Sequence, residues 1–314
     1  MCVHQLVRIL PVSQSSSISI LASITFWILQ VRYLTRSIKP DILHAHFIGV
    51  PGYLGAISGF HLFVLSAWGS DVLTIPKRNW VFGFMTEHAV READWIICVW
   101  PMLKDKLIEL GAKAEKIEVT PIGVGTQKFS PGARSEALLR GLGMSGSPVV
   151  ISTRNLGPVY DVRTRVKAIP LILQELPQDK FIIAGDGEQR SHLENLATTI
   201  GVSGSVRFTG WIPSDELPKY LASSDVYVST SLSDGTSISL LEALACGLAP
   251  VVTDIPANRT WVNDEETVLL FFPGDDETLA ARIIRLLKDR DIRIRFGRSG
   301  RDIIMRKADF KKEM

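Results

Sequence analysis

The segment Ser229 to Asp254 (STSLSDGTSISLLEALACGLAPVVTD) holds residues whose types and spacing could support chemistry. A run suited to a buried strand ends there in a small polar loop that contains Asp234 and Gly235. A helix is expected to start near Thr236 or Ser237, both good N-caps, and to stop at Gly247. Backbone N–H groups at such a start favour an anion, typically a phosphate. Glu242 follows Asp234 by eight positions and is the only charge among residues 235–253. A carboxylate on a buried crossover helix needs partners. Ribose hydroxyls would serve, each charge-assisted hydrogen bond contributing roughly 1.5–3 kcal/mol. The competing reading makes Glu242 a solvated residue favoured by the helix dipole.

Arg154 ends the run VVISTR (149–154) and points toward the same sheet edge. There it could clamp a pyrophosphate with paired hydrogen bonds; a lone strand-end arginine is otherwise a surface residue. Gly185 and Gly187 flank Asp186 in AGDGE (184–188), which reads as a tight turn first and a ligand loop second. Trp211, after VRFTG, is read as core in preference to rim. WGSD (68–71) follows a strand and reads as a helix-entry turn capped by Ser70 or Asp71. His44 and His46 either line a cleft at a strand end or sit hydrogen-bonded in the core. They are expected on opposite sides of their strand, which would make them poor partners for a metal.

The elements that must position these residues alternate short β-branched runs with longer helical stretches, the pattern of parallel α/β architecture. Strands are expected at 42–47, 62–68, 95–100 and 117–123, with a further short one from Leu6 to Leu10. A Pro-, Gly- and Arg-rich stretch then reads as a linker. Six more strands follow at 149–154, 181–185, 206–210, 226–231, 250–254 and 268–272, enough for a complete doubly wound domain. The expected architecture is two Rossmann-like domains facing across a cleft, the first incomplete. The division is 1–130, a linker at 131–147, and a nucleotide-binding domain at 148–314.

A formal net charge of +2 over 314 residues gives no field that argues for nucleic acid. Cys2, Cys98 and Cys246 are widely spaced, which favours free thiols over a disulfide frame or zinc site. Ile18 to Val31 is apolar but short for a bilayer span and is interrupted by Ser, Thr and Gln, so it reads as a packed amphipathic helix, with a membrane-surface element as the alternative. It lacks the flanks of a signal peptide. The basic stretch Arg282 to Lys312 reads as solvated helix faces.

The order KPDILHAHF, LSAWGSD, ADWIICVWPMLKDKLIELGAKAEKIEVTPIGV with Phe129, STRNL, FIIAGDGE, VRFTGWIP and SDGTSISLLEALACGLAPVV resembles the retaining glycosyltransferases of the GT-B fold, group 1 or family 4 type. The resemblance runs from about Ile38 to Leu270, and its most specific part is the acidic pair Asp234 and Glu242. It implies that Glu242 binds the donor ribose and that Asp234, where the family more often has Glu, lies beside the transferred sugar. Gly235 and the amides of Thr236 and Ser237 would hold donor phosphate or sugar, and Arg154 the pyrophosphate. Gly185, Gly187 and Trp211 would shape the donor cleft; His46, Trp68, Gly69 and Asp71 are candidates on the acceptor side. The implied reaction transfers a sugar from a UDP- or GDP-type nucleotide donor, with retention, to a glycan or lipid-linked acceptor. No metal and no cofactor beyond that co-substrate is expected, since protein cations would stabilise the departing diphosphate. Cytoplasmic location, with peripheral contact at the cytoplasmic membrane face, completes the expectation.

Three departures stand out. Tyr160 occupies the place where the family usually has a diphosphate-binding Lys, and Lys167 lies too far along to replace it. Trp68 stands where His is common. The usual N-terminal strand with its Gly-rich turn and the last crossing helix are missing, so the chain reads as trimmed at both ends. A non-catalytic donor-binding remnant and a nucleotide-sugar epimerase on the same fold are the alternatives.

Overall fold

A computed structural model of the chain describes residues 17–120 and 122–309, with side chains from residue 26 onward. The expected strand Leu6–Leu10 and Cys2 lie outside the described residues. The chain divides into two compact units, Met1–Pro121 and Ile122–Met314.

The first unit runs α1 (Ser17–Ile38), β1 (Leu43–His46), α2 (Tyr53–Ser58), β2 (Phe63–Ala67), α3 (Ser70–Leu73), α4 (Trp80–Glu92), β3 (Trp95–Cys98), α5 (Pro101–Glu109) and β4 (Ile117–Val119). Its strands pair in parallel in the order β1-β2-β3-β4. Leu43, Phe63, Leu65, Ile96, Leu103 and Leu107 are fully or nearly buried. Gly55 lets α2 close on β2, since a Cβ there would stand 2.2 Å from the Phe63 ring. α1 buries Val31 and Thr35, exposes Phe26, Leu29 and Tyr33, and bonds through Arg32 to the Ile57 carbonyl at 2.7 and 3.1 Å. Among the described residues no helix is long and apolar enough to cross a membrane.

The second unit runs α6 (Glu136–Gly141), β5 (Val149–Ser152), α7 (Val162–Glu175), β6 (Lys180–Ala184), α8 (Arg190–Thr199), β7 (Val206–Gly210), α9 (Leu217–Ala222), β8 (Val226–Ser229), α10 (Ile238–Ala245), β9 (Ala249–Thr253), α11 (Pro256–Arg259), β10 (Leu269–Phe271), α12 (Asp276–Lys288) and α13 (Arg290–Lys307). All six strands are parallel, in the order β10-β9-β8-β5-β6-β7. Strand side chains alternate between faces. Val226 and Val228 therefore enter the apolar cluster that holds Val166 and Ile169 of α7, and Tyr227 enters the one that holds Leu240 and Leu244 of α10.

The boundary between units falls before the stretch 131–147 that reads as a linker. That stretch carries α6, and Leu139 and Met144 are buried in the second unit's core. Its Pro and Gly content marks turns around a short helix. α13 closes tightly on α10: a Cβ at Gly297 would meet the Gly247 carbonyl at 2.1 Å, and one at Gly300 would meet Leu244 at 2.4 Å. Part of the basic C-terminal stretch is structural, because Arg301 donates to the Ala245 carbonyl and Arg293 to those of Leu286 and Leu287.

Candidate functional site

In the second sheet, β6 and β7 extend to one side of β5 while β8, β9 and β10 extend to the other. The chain therefore reverses its direction of sheet growth between β5 and β8. In an open parallel sheet such a reversal leaves a crevice beyond the carboxyl ends of the two strands, where ligands bind. The loop after β5 carries Arg154, and the loop after β8 carries Asp234, Gly235, Thr236 and Ser237.

Arg154 is 9% exposed and its Nη2 donates to Asp234. Its Nη1 donates to Ser237 Oγ at 3.1 Å and to Ser239 Oγ at 2.9 Å. Tyr227 donates its hydroxyl to Ser239 at 2.8 Å, and the Tyr160 ring covers the guanidinium, whose Cζ lies 4.5 Å from the ring centroid. Burial acts to lower the pKa of Arg154, but Asp234, Tyr227 and Tyr160 more than offset it, so the group stays charged. Ser237 is the N-cap of α10 by position, yet its hydroxyl serves Arg154 and makes no capping bond. Thr236 is buried and its hydroxyl has no partner among the described residues. Gly247 ends α10 in a left-handed conformation, φ 77°, as its residue type requires.

Glu242 lies just over one turn into α10, partly buried, with no hydrogen bond to its carboxylate among the described residues. Burial pushes its pKa up to about 7, against the pull of Lys128 and Arg154. Lys128 donates to Ser214 Oγ and to Asp215 Oδ1, both at 2.8 Å. The glycines of AGDGE pack against the loop that carries Arg154. A Cβ at Gly185 would meet the Arg154 carbonyl at 2.2 Å, and one at Gly187 would meet Leu156 at 2.7 Å. Their smallness therefore seats the Arg154 loop. Trp211 corrects its core reading: it is 73% exposed, because β7 ends at Gly210 and Trp211 lies beyond the sheet.

The first unit gathers its own candidates. Asp71 is buried and accepts from the amides of Ile48 (3.1 Å), Trp68 (3.0 Å) and Gly69 (2.8 Å). Burial raises its pKa while these amides pull it down. Its place is the framework of the turn at Gly69, where φ is 135°. His44 and His46 lie on one face, ring centroids 4.1 Å apart, and His46 stacks on the half-exposed Trp68 at 6.0 Å. The expectation of opposite sides is corrected by strand geometry itself, since residues two apart share a face. His44 Nε2 and Ser66 Oγ are 2.8 Å apart, and burial followed by the charge of His46 lowers the His44 pKa. Among the described residues no group of three or more His, Cys, Asp or Glu has metal-binding geometry.

Reading from sequence missed Tyr227, Ser239 and Lys128, which reach the site from β8, from α10 and from the segment ahead of α6. Ser239, two positions after Ser237 on a helix, offered a faint signal; Lys128 offered none.

This fold and this crevice define a Rossmann-like unit with an anion-ready strand-to-helix loop. Residues 140–303 match the family model described as glycosyl transferases group 1, and residues 3–99 match that of glycosyl transferase 4-like. The chain belongs to the group 1 glycosyltransferases. It is 30% identical over 281 residues to the lipopolysaccharide core biosynthesis glycosyltransferase LpsE of Rhizobium meliloti, covering 88% of this chain and 74% of that protein. It is 27% identical over 272 residues to the UDP-Gal:alpha-D-GlcNAc-diphosphoundecaprenol alpha-1,3-galactosyltransferase of Escherichia coli, covering 83% and 70%. A sulfoquinovosyl transferase of Arabidopsis thaliana, 29% identical over 279 residues, is covered over 53% of its length and 84% of this one, so the chain spans only part of these relatives. The fold is that of Anabaena HepE solved with UDP-glucose, with a TM-score of 0.80 at 21% identity over 91% of this chain and 79% of that one.

Proposed function

We propose that this chain carries the donor half of a retaining, metal-independent glycosyltransferase that moves a sugar from a nucleoside-diphosphate donor to a glycan or lipid-linked acceptor. The observation that carries the reading is the convergence of Arg154, Asp234, Ser237 and Ser239 at the β5/β8 reversal, with the unbonded carboxylate of Glu242 just over one turn into the same helix. The amides of Thr236 and Ser237 and the guanidinium of Arg154 would take the diphosphate. Glu242 would accept the ribose hydroxyls, and Asp234 would stand beside the transferred sugar. Charge developing on the departing diphosphate would fall on fixed donors that need no reorganisation at the moment of reaction.

The relatives support the acceptor class, since their names describe lipopolysaccharide core biosynthesis and a diphosphoundecaprenol-linked sugar. Family membership favours transfer over epimerisation. Peripheral contact with the cytoplasmic membrane face belongs to the same proposal. It is supported by Phe26, Leu29 and Tyr33 exposed on α1, a helix that also carries Arg36. Flotation with anionic liposomes at low salt tests it, and failure to float would overturn it.

The donor site is tested by calorimetric titration with UDP, GDP and ADP without added metal, beside Glu242→Ala. Micromolar binding of one nucleotide, lost in the variant, is the expected result. Binding that survives in Glu242→Ala would remove the assigned site and leave the fold alone.

A further inference from the structure

Arg165 stands on the buried face of α7 beside Val162, Val166 and Ile169, and is 3% exposed. None of its guanidinium nitrogens meets a hydrogen-bond acceptor among the described residues. An apolar residue would satisfy that stripe, whereas a dry, unbonded guanidinium is costly unless something offsets its charge.

Its surroundings belong to the donor site. α7 begins immediately after Tyr160 and Asp161, and the Tyr160 ring lies over Arg154. Thr230 donates to the Tyr160 carbonyl at 2.8 Å, and the Leu232 amide donates to that of Val159 at 2.8 Å. The turn that leads into α7 is thus tied to the loop after β8. Side chains on a helix lean toward its N-terminus, so Arg165, in the second turn, leans toward these loops. Tyr227, whose hydroxyl bonds the same Ser239 that takes Arg154 Nη1, acts electrostatically on the Arg165 guanidinium. Burial lowers its pKa to about 9, opposed by Tyr227, which leaves it protonated at neutral pH.

The other charges near the crevice are already answered. Arg154 is paired with Asp234, Lys128 with Asp215, and Glu242 is pushed toward its neutral form. We infer that Arg165 is an uncompensated positive charge, among the described residues, beside the donor site, drawing the diphosphate of a nucleotide donor by its field without touching it. This inference rests on the donor-site reading above. It also supplies the second cation that Tyr160 cannot.

The test titrates the full chain, Arg165→Met, Arg165→Gln and Arg165→Lys with pyrophosphate, with UDP and UMP, and with GDP and GMP. A buried unit charge within roughly 10 Å, at an effective dielectric near 20, changes the affinity of an anion about tenfold per unit of ligand charge. Both neutral variants should weaken pyrophosphate and the cognate diphosphate by about tenfold or more, weaken the monophosphate less, and melt higher than the wild type. Arg165→Lys should retain most of the affinity. Unchanged diphosphate affinity in a folded neutral variant would overturn the inference, as would an equal loss for diphosphate and monophosphate, which would mark a packing role. If wild type binds none of these anions, the donor-site reading fails first, and this inference with it.

Discussion

Arg154 and Asp234 neutralise each other across the reversal point of the second sheet, one following β5 and the other following β8. The pair is largely buried, with side chains 9% and 16% exposed. In the proposed donor site, an incoming diphosphate would compete with Asp234 for the guanidinium. That exchange would free the carboxylate at the moment a sugar arrives beside it. Asp234→Asn should bind pyrophosphate more tightly, by about tenfold, because Arg154 is released. The same variant should lose about a hundredfold or more in sugar transfer. Arg154→Met should lose both functions and about 3 kcal/mol of stability, since it strands a buried carboxylate. Weaker pyrophosphate binding in Asp234→Asn would show that the pair is a scaffold and no competitor.

The proposed ribose role of Glu242 predicts pH-dependent nucleotide binding. Burial raises its pKa to about 7, and only the ionised form offers full acceptor strength to ribose hydroxyls. Affinity should rise severalfold from pH 6 to pH 8 in wild type and stay flat in Glu242→Gln. Because the folded pKa lies above the unfolded one, the associated stability is present at acid pH and is lost as pH rises through about 7. Glu242→Gln should accordingly melt above wild type at pH 8 and with it at pH 5. Parallel affinity profiles for the two proteins would remove Glu242 from the ribose.

Asp179 is a second carboxylate at odds with its place. It is 2% exposed, its Oδ2 lacks a partner among the described residues, and its pKa is pushed up to about 6. Burial is the main cause, Asp225 adds to it, and Arg293 opposes. The sign is the same: stability present below the unfolded pKa is lost as pH rises through about 6. Asp179→Asn should stabilise the second unit by about 1–3 kcal/mol at pH 8 and by little at pH 4. Denaturant melts at the two values decide it; destabilisation at pH 8 would mean an unseen partner.

Gly185 is predicted to be intolerant of a side chain for two separate reasons. Its φ is 132°, and a Cβ would collide with the Arg154 carbonyl at 2.2 Å. Gly185→Ala should cost about 2–3 kcal/mol and weaken diphosphate binding at least tenfold in the fraction that remains folded. Wild-type affinity in folded Gly185→Ala would separate the turn from the site.

Trp211 provides the contrasting case. At 73% exposure it contributes little to the core, so Trp211→Ala should change stability by no more than about 0.5 kcal/mol. A loss of several kcal/mol would restore the core reading.

Every expected strand within the described residues forms, because β-branched runs bounded by Gly and Pro carry their own signal. The helix after β8 also forms where the N-cap residues and Gly247 place it. What local pattern could not supply was partnership. Ser237 reads as a cap and instead bonds Arg154, a residue 83 positions away. Gly185 and Gly187 read first as a tight turn, and their seating of a neighbouring loop had no local signal. Arg165 drew no notice in the sequence, because residue type alone does not say that a charge will be buried without a partner.

By itself the sequence determined the alternation of strands and helices, the polar loop between β8 and α10, and the presence there of one acid before the helix and one within it. Those follow from residue type and spacing, which are local. The strand order β10-β9-β8-β5-β6-β7 is not local, and it alone makes the ends of β5 and β8 neighbours. Only that placement brings Arg154 against Asp234 and, among the described residues, leaves Glu242 unbonded and buries Arg165 without a counter-charge. Pairing and desolvation depend on which distant segments exclude water together, and the tertiary structure decides that.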